Sequence, residues 1–232
     1  MKTLAIIPAR GGSKRIPRKN VLEVGGKALI VHTVNQAQNS NHINRVVVST
    51  DDDEIADVSQ RAGAEVLMRP AALSNGTATS ESALIHALDE LADTYNYVPD
   101  ELVFLQCTSP LRRPTDIDDA IDRFRTMQFD SLFSVSRFRK YVWKLDGQIP
   151  RSVNFDYQAE RWREQDFPEQ YEENGSIYVM RPWVLRSYNY RFGGRMGLYE
   201  MDSWSALQVD TPEDLALCAA AFKSRVVQGS NG

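Results

Sequence analysis

The chain has 232 residues, of which 42% are hydrophobic and 25% charged, and its formal net charge is −4. This composition is that of an ordinary soluble globular protein, long enough to bury a sizeable core. The mild negative charge argues against an overall basic surface for nucleic acid or membranes, and no apolar stretch approaches the length of a transmembrane helix. We therefore expect neither nucleic acid nor a membrane as a partner.

Two features of the sequence indicate a cytoplasmic protein. Cys107 and Cys218 are the only cysteines, and they match neither a disulfide framework nor a zinc motif. This usage is typical of a reducing compartment. The apolar run at the N-terminus is too short for a signal peptide, because Pro8 ends it and cations follow. We interpret this run as a first strand.

Apolar periodicity predicts strands and helices in alternation. In chain order we expect a strand over Thr3–Ile7, a helix over Leu29–Ala37, a strand over Arg45–Thr50, a helix carrying Ile55 and Val58, a strand over Glu65–Leu67, a helix over Ala83–Leu91, a strand over Glu101–Gln106, a helix over Ile117–Phe124, a strand over Ser131–Val135 and a helix over Leu215–Phe222. Thr50 and Asp53 resemble a capping box before the second helix, and Thr211-Pro212 marks the start of the last one. The alternation predicts one α/β domain with a mostly parallel sheet and helices on both faces, although two small domains are also compatible.

One stretch breaks this alternation. Residues 137–170 are rich in aromatic and charged side chains, and we interpret them as an inserted arm. Such a composition is typical of surfaces that contact another subunit, so we expect a homodimer. A lid or a plain surface hairpin is the alternative.

The loop after the first strand carries the most chemical information. Ala9–Asn20 contains two adjacent glycines and five cations but no acid. Glycines allow backbone N–H groups to approach an anion closely, and Arg10, Lys14 and Lys19 are suited to neutralise a polyphosphate. The loop matches neither a P-loop nor a dinucleotide fingerprint. A solvated basic loop is the alternative, but ligands of such sheets bind beyond the carboxyl ends of the strands, where this loop lies.

Six segments, in this order, resemble the acylneuraminate cytidylyltransferase family, the CMP-sialic acid synthetases. They are IPARGGSKRIPRKN at Ile7–Asn20, VSTDD at Val48–Asp52, RPAAL at Arg69–Leu73, LQCTSPLR at Leu105–Arg112, NGSIYV at Asn174–Val179 and VDTPEDL at Val209–Leu215. The resemblance implies a single Rossmann-like nucleotidyltransferase domain with a protruding dimerisation arm. It also implies transfer of CMP from CTP to an acidic 2-keto-3-deoxy sugar, with release of pyrophosphate.

The resemblance assigns candidate roles on the nucleotide side of the site. Arg10, Ser13 and Lys19 match positions that hold the triphosphate, with Gly12 offering its backbone, and Asn20 matches one that contacts the nucleotide. Two further residues match positions near the cytosine and ribose, namely Arg69 and Ser80. An Arg at the end of a strand can equally be a simple cap.

On the sugar side, Gln106, Thr108 and Ser109 match the strand end that faces the acceptor, although Ser109-Pro110 can also simply end a strand. Asp210 is the candidate Mg²⁺ ligand and, with Arg10 and Lys19, a candidate catalytic residue. Asp210 is expected to follow an apolar strand and to precede a helix start, where a hard oxygen ligand would meet phosphate-bound Mg²⁺. Its alternative role is an acid near a helix N-terminus.

The chain departs from the family pattern at two positions. Gln208 stands where a second aspartate is frequent, and Glu172 stands where an arginine is frequent. The first departure weakens the metal site, and the second changes the charge beside an acidic sugar. The second departure is compatible with a sugar that bears an amino group, with another carboxylate partner such as Arg163, or with a different substrate. Two alternatives remain open: an enzyme for an eight-carbon keto acid sugar, whose relatives have a similar N-terminal start, and a protein that binds nucleotide without turnover, which the two departures suggest.

Overall fold

A computed structural model describes residues 1–13, 15–74, 78–159 and 161–229. Lys14, one of the predicted polyphosphate ligands, lies outside the described residues. The strands are β1 (Thr3–Pro8), β2 (Glu23–Val24), β3 (Lys27–Ala28), β4 (Arg45–Thr50), β5 (Glu65–Met68), β6 (Glu101–Leu105), β7 (Ser131–Arg137), β8 (Trp143–Asp146), β9 (Ile149–Ser152), β10 (Tyr171–Met180) and β11 (Met196–Met201). The α-helices are α1 (Leu29–Gln38), α2 (Asp53–Arg61), α3 (Ser80–Tyr95), α4 (Asp116–Thr126), α5 (Pro182–Tyr188) and α6 (Pro212–Gly229).

Seven strands form the main sheet, in the order β11-β7-β10-β6-β1-β4-β5. Strand β10 runs antiparallel to both neighbours, whereas the other strand pairs are parallel. The predicted mostly parallel sheet is confirmed. The sequence patterns missed β10 and β11. The first half of β10 is polar, which conceals the apolar pattern of a strand.

Helices cover both faces of this sheet, as predicted. On one face, α1, α2 and α4 pack on residues such as Ile7, Val48 and Val103. On the other face, α3 and α5 pack on residues such as Ile6 and Phe104. Helix α6 packs separately against the small β2–β3 hairpin and the start of α1. Burial of alternate strand residues on opposite faces explains why the strands read as continuous apolar runs.

The predicted cap of α2 was wrong. The side chain of Asp52, not Thr50, accepts a hydrogen bond from the N–H of Ile55 at 3.0 Å. The Thr50 hydroxyl instead accepts from the N–H of Asp52 at 3.2 Å. Strand β4 runs through Thr50, so the first residue free to cap the helix lies further along.

The stretch over residues 137–170 contains a hairpin, in which β8 and β9 pair with each other as a separate two-stranded sheet. We call residues 138–170 the arm, since β7 ends at Arg137 and β10 begins at Tyr171. Its exposed side chains include Trp143, Leu145 and Ile149. In the described part of the chain, no helix has both the length and the apolar character needed to cross a bilayer.

Candidate functional site

The predicted site residues meet in a cleft at the carboxyl edge of the sheet. Because β1 and β6 are parallel neighbours, the loops that follow them emerge side by side. The cleft has a volume of about 320 Å³. Eight predicted residues line it, namely Arg10, Ser13, Lys19, Asn20, Arg69, Ser80, Gln106 and Thr108. Gly12, Ser109 and Asp210 are not among the lining residues.

Acids that follow β4 hold the glycine loop in place. The N–H of Gly11 donates to Asp51 Oδ1 at 3.0 Å. A Cβ at Gly11 would lie only 2.5 Å from Asp52 Oδ2, so the backbone approaches Asp52 more closely than any side chain permits. A Cβ at Gly12 would meet no atom within 4 Å. The space beside Gly12 is therefore free, whereas that beside Gly11 is filled by Asp52.

One of the loop's cations is already neutralised by these acids. Arg18 lies in the left-handed region, with φ of 57°. Its guanidinium donates to both carboxylate oxygens of Asp52 and to Glu54. Arg18 thereby holds the pKa of Asp52 below its usual range. This leaves Arg10 and Lys19 as the described cations of the loop that line the cleft.

Asn20 fixes the backbone of this loop. Its side chain is buried, and its Nδ2 donates to the carbonyl oxygen of Arg10 at 3.0 Å. The predicted nucleotide contact therefore comes with a second role, since Asn20 sets the position from which Arg10 enters the cleft.

Arg69 is a buried cation with unused donors. Its side chain is 5% exposed, and its nearest acid is Asp51, at 4.0 Å from Nη2 to Oδ1. Among the described residues, Arg69 Nε and Nη2 have no hydrogen-bond partner. Burial lowers the pKa of Arg69. A buried guanidinium without hydrogen-bond acceptors lowers the stability of the folded protein. Arg69 is therefore suited to a ligand in the cleft that supplies acceptors.

Asp210 reaches the cleft edge through Lys19, whose Nζ donates to Asp210 Oδ1 at 2.8 Å. The strand predicted before Asp210 was wrong, because residues 207–210 form a loop. The N–H of Val209 donates to the carbonyl of Thr108 at 2.8 Å, which docks this loop on the one after β6. Thr211 and Asp214 cap α6 together, as predicted: the Thr211 hydroxyl accepts from the N–H of Asp214 at 3.3 Å, and the Asp214 carboxylate accepts from the N–H groups of Asp210 and Thr211. The Asp210 carboxylate is thus not occupied by capping.

Comparison with known proteins identifies the family. A family model described as Cytidylyltransferase matches residues 4–226. The chain belongs to this cytidylyltransferase family. It is 31% identical over 229 residues to a pseudaminic acid cytidylyltransferase of Campylobacter jejuni, covering 96% of this chain and 97% of the relative.

Two further similarities agree with the assignment. The chain is 32% identical over 219 residues to an N-acylneuraminate cytidylyltransferase of Streptococcus agalactiae, covering 92% of this chain and 52% of that longer protein. The solved structure of a CMP:2-keto-3-deoxy-manno-octonic acid synthetase complexed with CTP superposes with a TM-score of 0.73 at 20% identity, covering 97% of this chain and all of that one. The predicted family, fold and cytidylyltransferase class are confirmed.

The residues predicted to face the sugar follow β6. The Thr108 hydroxyl donates to Gln106 Oε1 at 3.3 Å, which directs both side chains into the cleft wall. Ser109 is 1% exposed and lies behind that wall, where its N–H donates to the carbonyl of Gln106. The structure thus brings two of the three predicted sugar residues to the cleft.

The two departures from the family pattern occupy defined places. The Gln208 amide donates to the carbonyl oxygen of Asn174, beside Gly175, whose φ of +64° marks an irregularity in β10. Glu172 is exposed on β10, opposite Ser136 of β7. The side-chain nitrogen of Gln208 therefore holds the NGSIYV segment in place through a hydrogen bond.

Sequence reasoning missed an aromatic wall of the cleft. Phe104 lines the cleft and stacks on Tyr178, with ring centroids 5.1 Å apart. The Arg191 guanidinium lies over both rings, and its Nε is 2.7 Å from Glu81 Oε1. Tyr178 donates in turn to Glu173. Alternation along β6 places Phe104 on the same face as Gln106, but the stacking depends on β10, which the sequence patterns did not reveal.

Proposed function

We propose that this cytidylyltransferase transfers CMP from CTP to an acidic nine-carbon 2-keto-3-deoxy sugar, a nonulosonate, and releases pyrophosphate. One observation carries the proposal: a single cleft is lined both by the cations Arg10, Lys19 and Arg69 and by Gln106 and Thr108. The cations suit a triphosphate, and an amide and a hydroxyl suit a polyol better than an apolar ligand. The names of the two curated relatives support a nonulosonate as the acceptor.

The residues of the cleft have separable tasks in this reaction. The anomeric oxygen of the sugar attacks the α-phosphorus, and pyrophosphate leaves. Such chemistry depends mainly on positioning and on neutralisation of charge. Arg10, Lys19 and the backbone at Gly12 hold the triphosphate, Arg69 and Ser80 hold the nucleoside, and Gln106 and Thr108 orient the attacking sugar.

We also propose that Asp210 holds Mg²⁺ during turnover. Mg²⁺ commonly binds one or two carboxylates, with phosphate and water completing its shell. The donor set fits this pattern, because Asp210 is 44% exposed at its side chain and free of helix capping. Among the described residues no cluster of three or more His, Cys, Asp or Glu side chains is suited to a metal, so phosphate oxygens supply the remaining ligands. The bound ion would neutralise charge on the phosphates.

We further propose that the enzyme is a cytoplasmic homodimer that assembles through the arm. Support comes from the apolar exposure of the hairpin, where Leu145 is 73% and Ile149 62% exposed. Exposed aliphatic and aromatic side chains concentrated in one segment are typical of subunit interfaces. Cys107 and Cys218 are free and buried, which suits a reducing compartment.

Pyrophosphate release tests the proposed function. Purified enzyme is incubated with CTP, Mg²⁺ and a panel of nonulosonates and eight-carbon keto acids, and the same reaction without sugar is the control. Release with a nonulosonate alone supports the proposal and names the sugar. Release with an eight-carbon acid alone, or CTP binding without release from any sugar, contradicts it.

A further inference from the structure

Arg112 is a buried cation that contacts the backbone of Gln106, one of the cleft residues that we assign to the sugar. It is 4% exposed. Its Nη1 donates to Thr33 Oγ1 at 3.2 Å and to Gln36 Oε1 at 2.9 Å, both on α1. Its Nη2 donates at 2.8 Å to two carbonyl oxygens, those of Gln106 and Ser176. One guanidinium therefore joins α1, the end of β6 and the irregular part of β10.

All four acceptors are neutral, so none balances the charge of Arg112. Burial lowers the pKa of Arg112 to about 10. The nearby acid Asp116 is already bound by Arg113 at 2.9 Å and by the Tyr199 hydroxyl at 3.0 Å. A buried charge without an opposite charge costs stability, but an apolar side chain here would leave the carbonyl oxygens of Gln106 and Ser176 without this donor. The buried arginine is therefore explained by the backbone that it holds in place.

The backbone contacts of Arg112 join it to a residue that we assign to the acceptor, and to none that we assign to CTP. It donates a hydrogen bond to the carbonyl of Gln106, whose side chain lines the cleft and accepts from the Thr108 hydroxyl. Its second carbonyl belongs to Ser176, which follows the NG pair of the irregular β10 segment. The residues assigned to CTP are on the other loops. A forked guanidinium is suited to this task, since it fixes several acceptors in one plane while keeping its charge.

We propose that Arg112 is a positioning residue for the acidic sugar. It fixes the loop that presents Gln106 and Thr108 to the cleft. This inference rests on the proposed function. It predicts that loss of Arg112 weakens the sugar's binding selectively, whereas a general structural role would weaken both substrates together.

The test compares Arg112→Met and Arg112→Lys with Arg113→Met. Arg113 is a suitable control, because it is the adjacent arginine, is 46% exposed at its side chain and pairs with Asp116. For each variant we would measure the sugar KM and kcat by pyrophosphate release and the CTP Kd by calorimetry without sugar. We expect Arg112→Met to raise the sugar KM about tenfold or more while the CTP Kd changes less than about twofold. Arg112→Lys should recover part of the loss, and Arg113→Met should leave the sugar KM near wild type.

Equal changes in sugar KM and CTP Kd, or no change in either, would overturn the role of Arg112. If Arg112→Met does not fold, Arg112→Lys decides by the same comparison, since it retains the charge but loses the fork. If the wild-type enzyme fails to release pyrophosphate with every acidic sugar tested, the proposed function itself is contradicted. The two failures are therefore distinguishable.

Discussion

Lys19 and Asp210, 191 positions apart in the chain, form an ion pair with Nζ and Oδ1 2.8 Å apart at the edge of the cleft. The Lys19 side chain is 13% exposed and that of Asp210 44%. The pair joins the loop after β1 to the start of α6. Without ligands each group neutralises the other, and a triphosphate with its metal would compete for both.

The first prediction concerns this pair. Asp210→Asn should lower kcat about 100-fold or more, because the variant loses the charge that binds the metal. Lys19→Ala should lower kcat/KM for CTP to a similar degree through the triphosphate. Pyrophosphate release across a Mg²⁺ titration checks both. Full activity of Asp210→Asn at low Mg²⁺ would show that the metal assignment is wrong.

Arg69 should show opposite effects on stability and binding. Arg69→Met removes a buried guanidinium that has unpaired nitrogens among the described residues, so the melting temperature of the ligand-free enzyme should stay level or rise. The same change should weaken CTP binding about 10- to 100-fold, the range expected for lost hydrogen bonds to a charged group. Thermal unfolding and calorimetry measure the two effects. A lower melting temperature with unchanged CTP affinity would mean that Arg69 serves the fold alone.

The adjacent glycines offer a matched pair of variants. Gly11→Ala would place a Cβ 2.5 Å from Asp52 Oδ2 and disturb a side chain that binds Arg18 and caps α2, so we expect a loss of about 1–3 kcal/mol in unfolding free energy. Gly12→Ala meets no atom within 4 Å and should leave stability within about 0.5 kcal/mol. Denaturant unfolding compares them. If Gly12 presents its backbone to the triphosphate, Gly12→Ala should nevertheless weaken CTP binding.

The arm should control the oligomeric state. Replacing both Leu145 and Ile149 with Glu should convert a dimer to a monomer, because charges at a buried interface are costly. Leu217→Glu is the control, since Leu217 is 55% exposed on α6, away from the arm. Light scattering after size-exclusion chromatography gives the masses. A wild-type monomer, or a dimer that survives the double change, would contradict the proposed interface.

His32 should make the protein sensitive to mild acid. Burial lowers the pKa of His32, and its ring bonds the carbonyl of Val24 and stacks on Phe222 of α6 with centroids 4.5 Å apart. Below about pH 6.5 the unfolded chain binds a proton more readily than the folded one, so this contribution to stability is present above pH 6.5 and declines as the pH falls. Melting temperatures from pH 7.5 to 5 should fall more for wild type than for His32→Gln. Parallel curves would show that His32 does not titrate between the two states.

Much of the site was predictable because its residues follow strands. Local periodicity revealed β1, β4 and β6, and parallel strands bring the loops after them to one edge. Two strands, β10 and β11, were not predicted. In β10 a polar half precedes an apolar half, so its sequence does not show the pattern of a single strand. Phe104 and Arg112 escaped as functional candidates for a related reason: the meaning of each depends on contacts with β10, and a buried arginine is indistinguishable from a surface arginine in a single sequence.

The sequence alone determined the chemistry available to this protein: a glycine-rich cationic loop, a polar segment after a buried strand, and an acid before a helix start. These are local properties, set by residue type and spacing. Only the tertiary structure decided which groups are already paired and which remain for ligands, because pairing depends on distances between segments remote in the chain. It assigned Arg18 to Asp52 and Lys19 to Asp210, and left the buried guanidinium of Arg69 at the cleft.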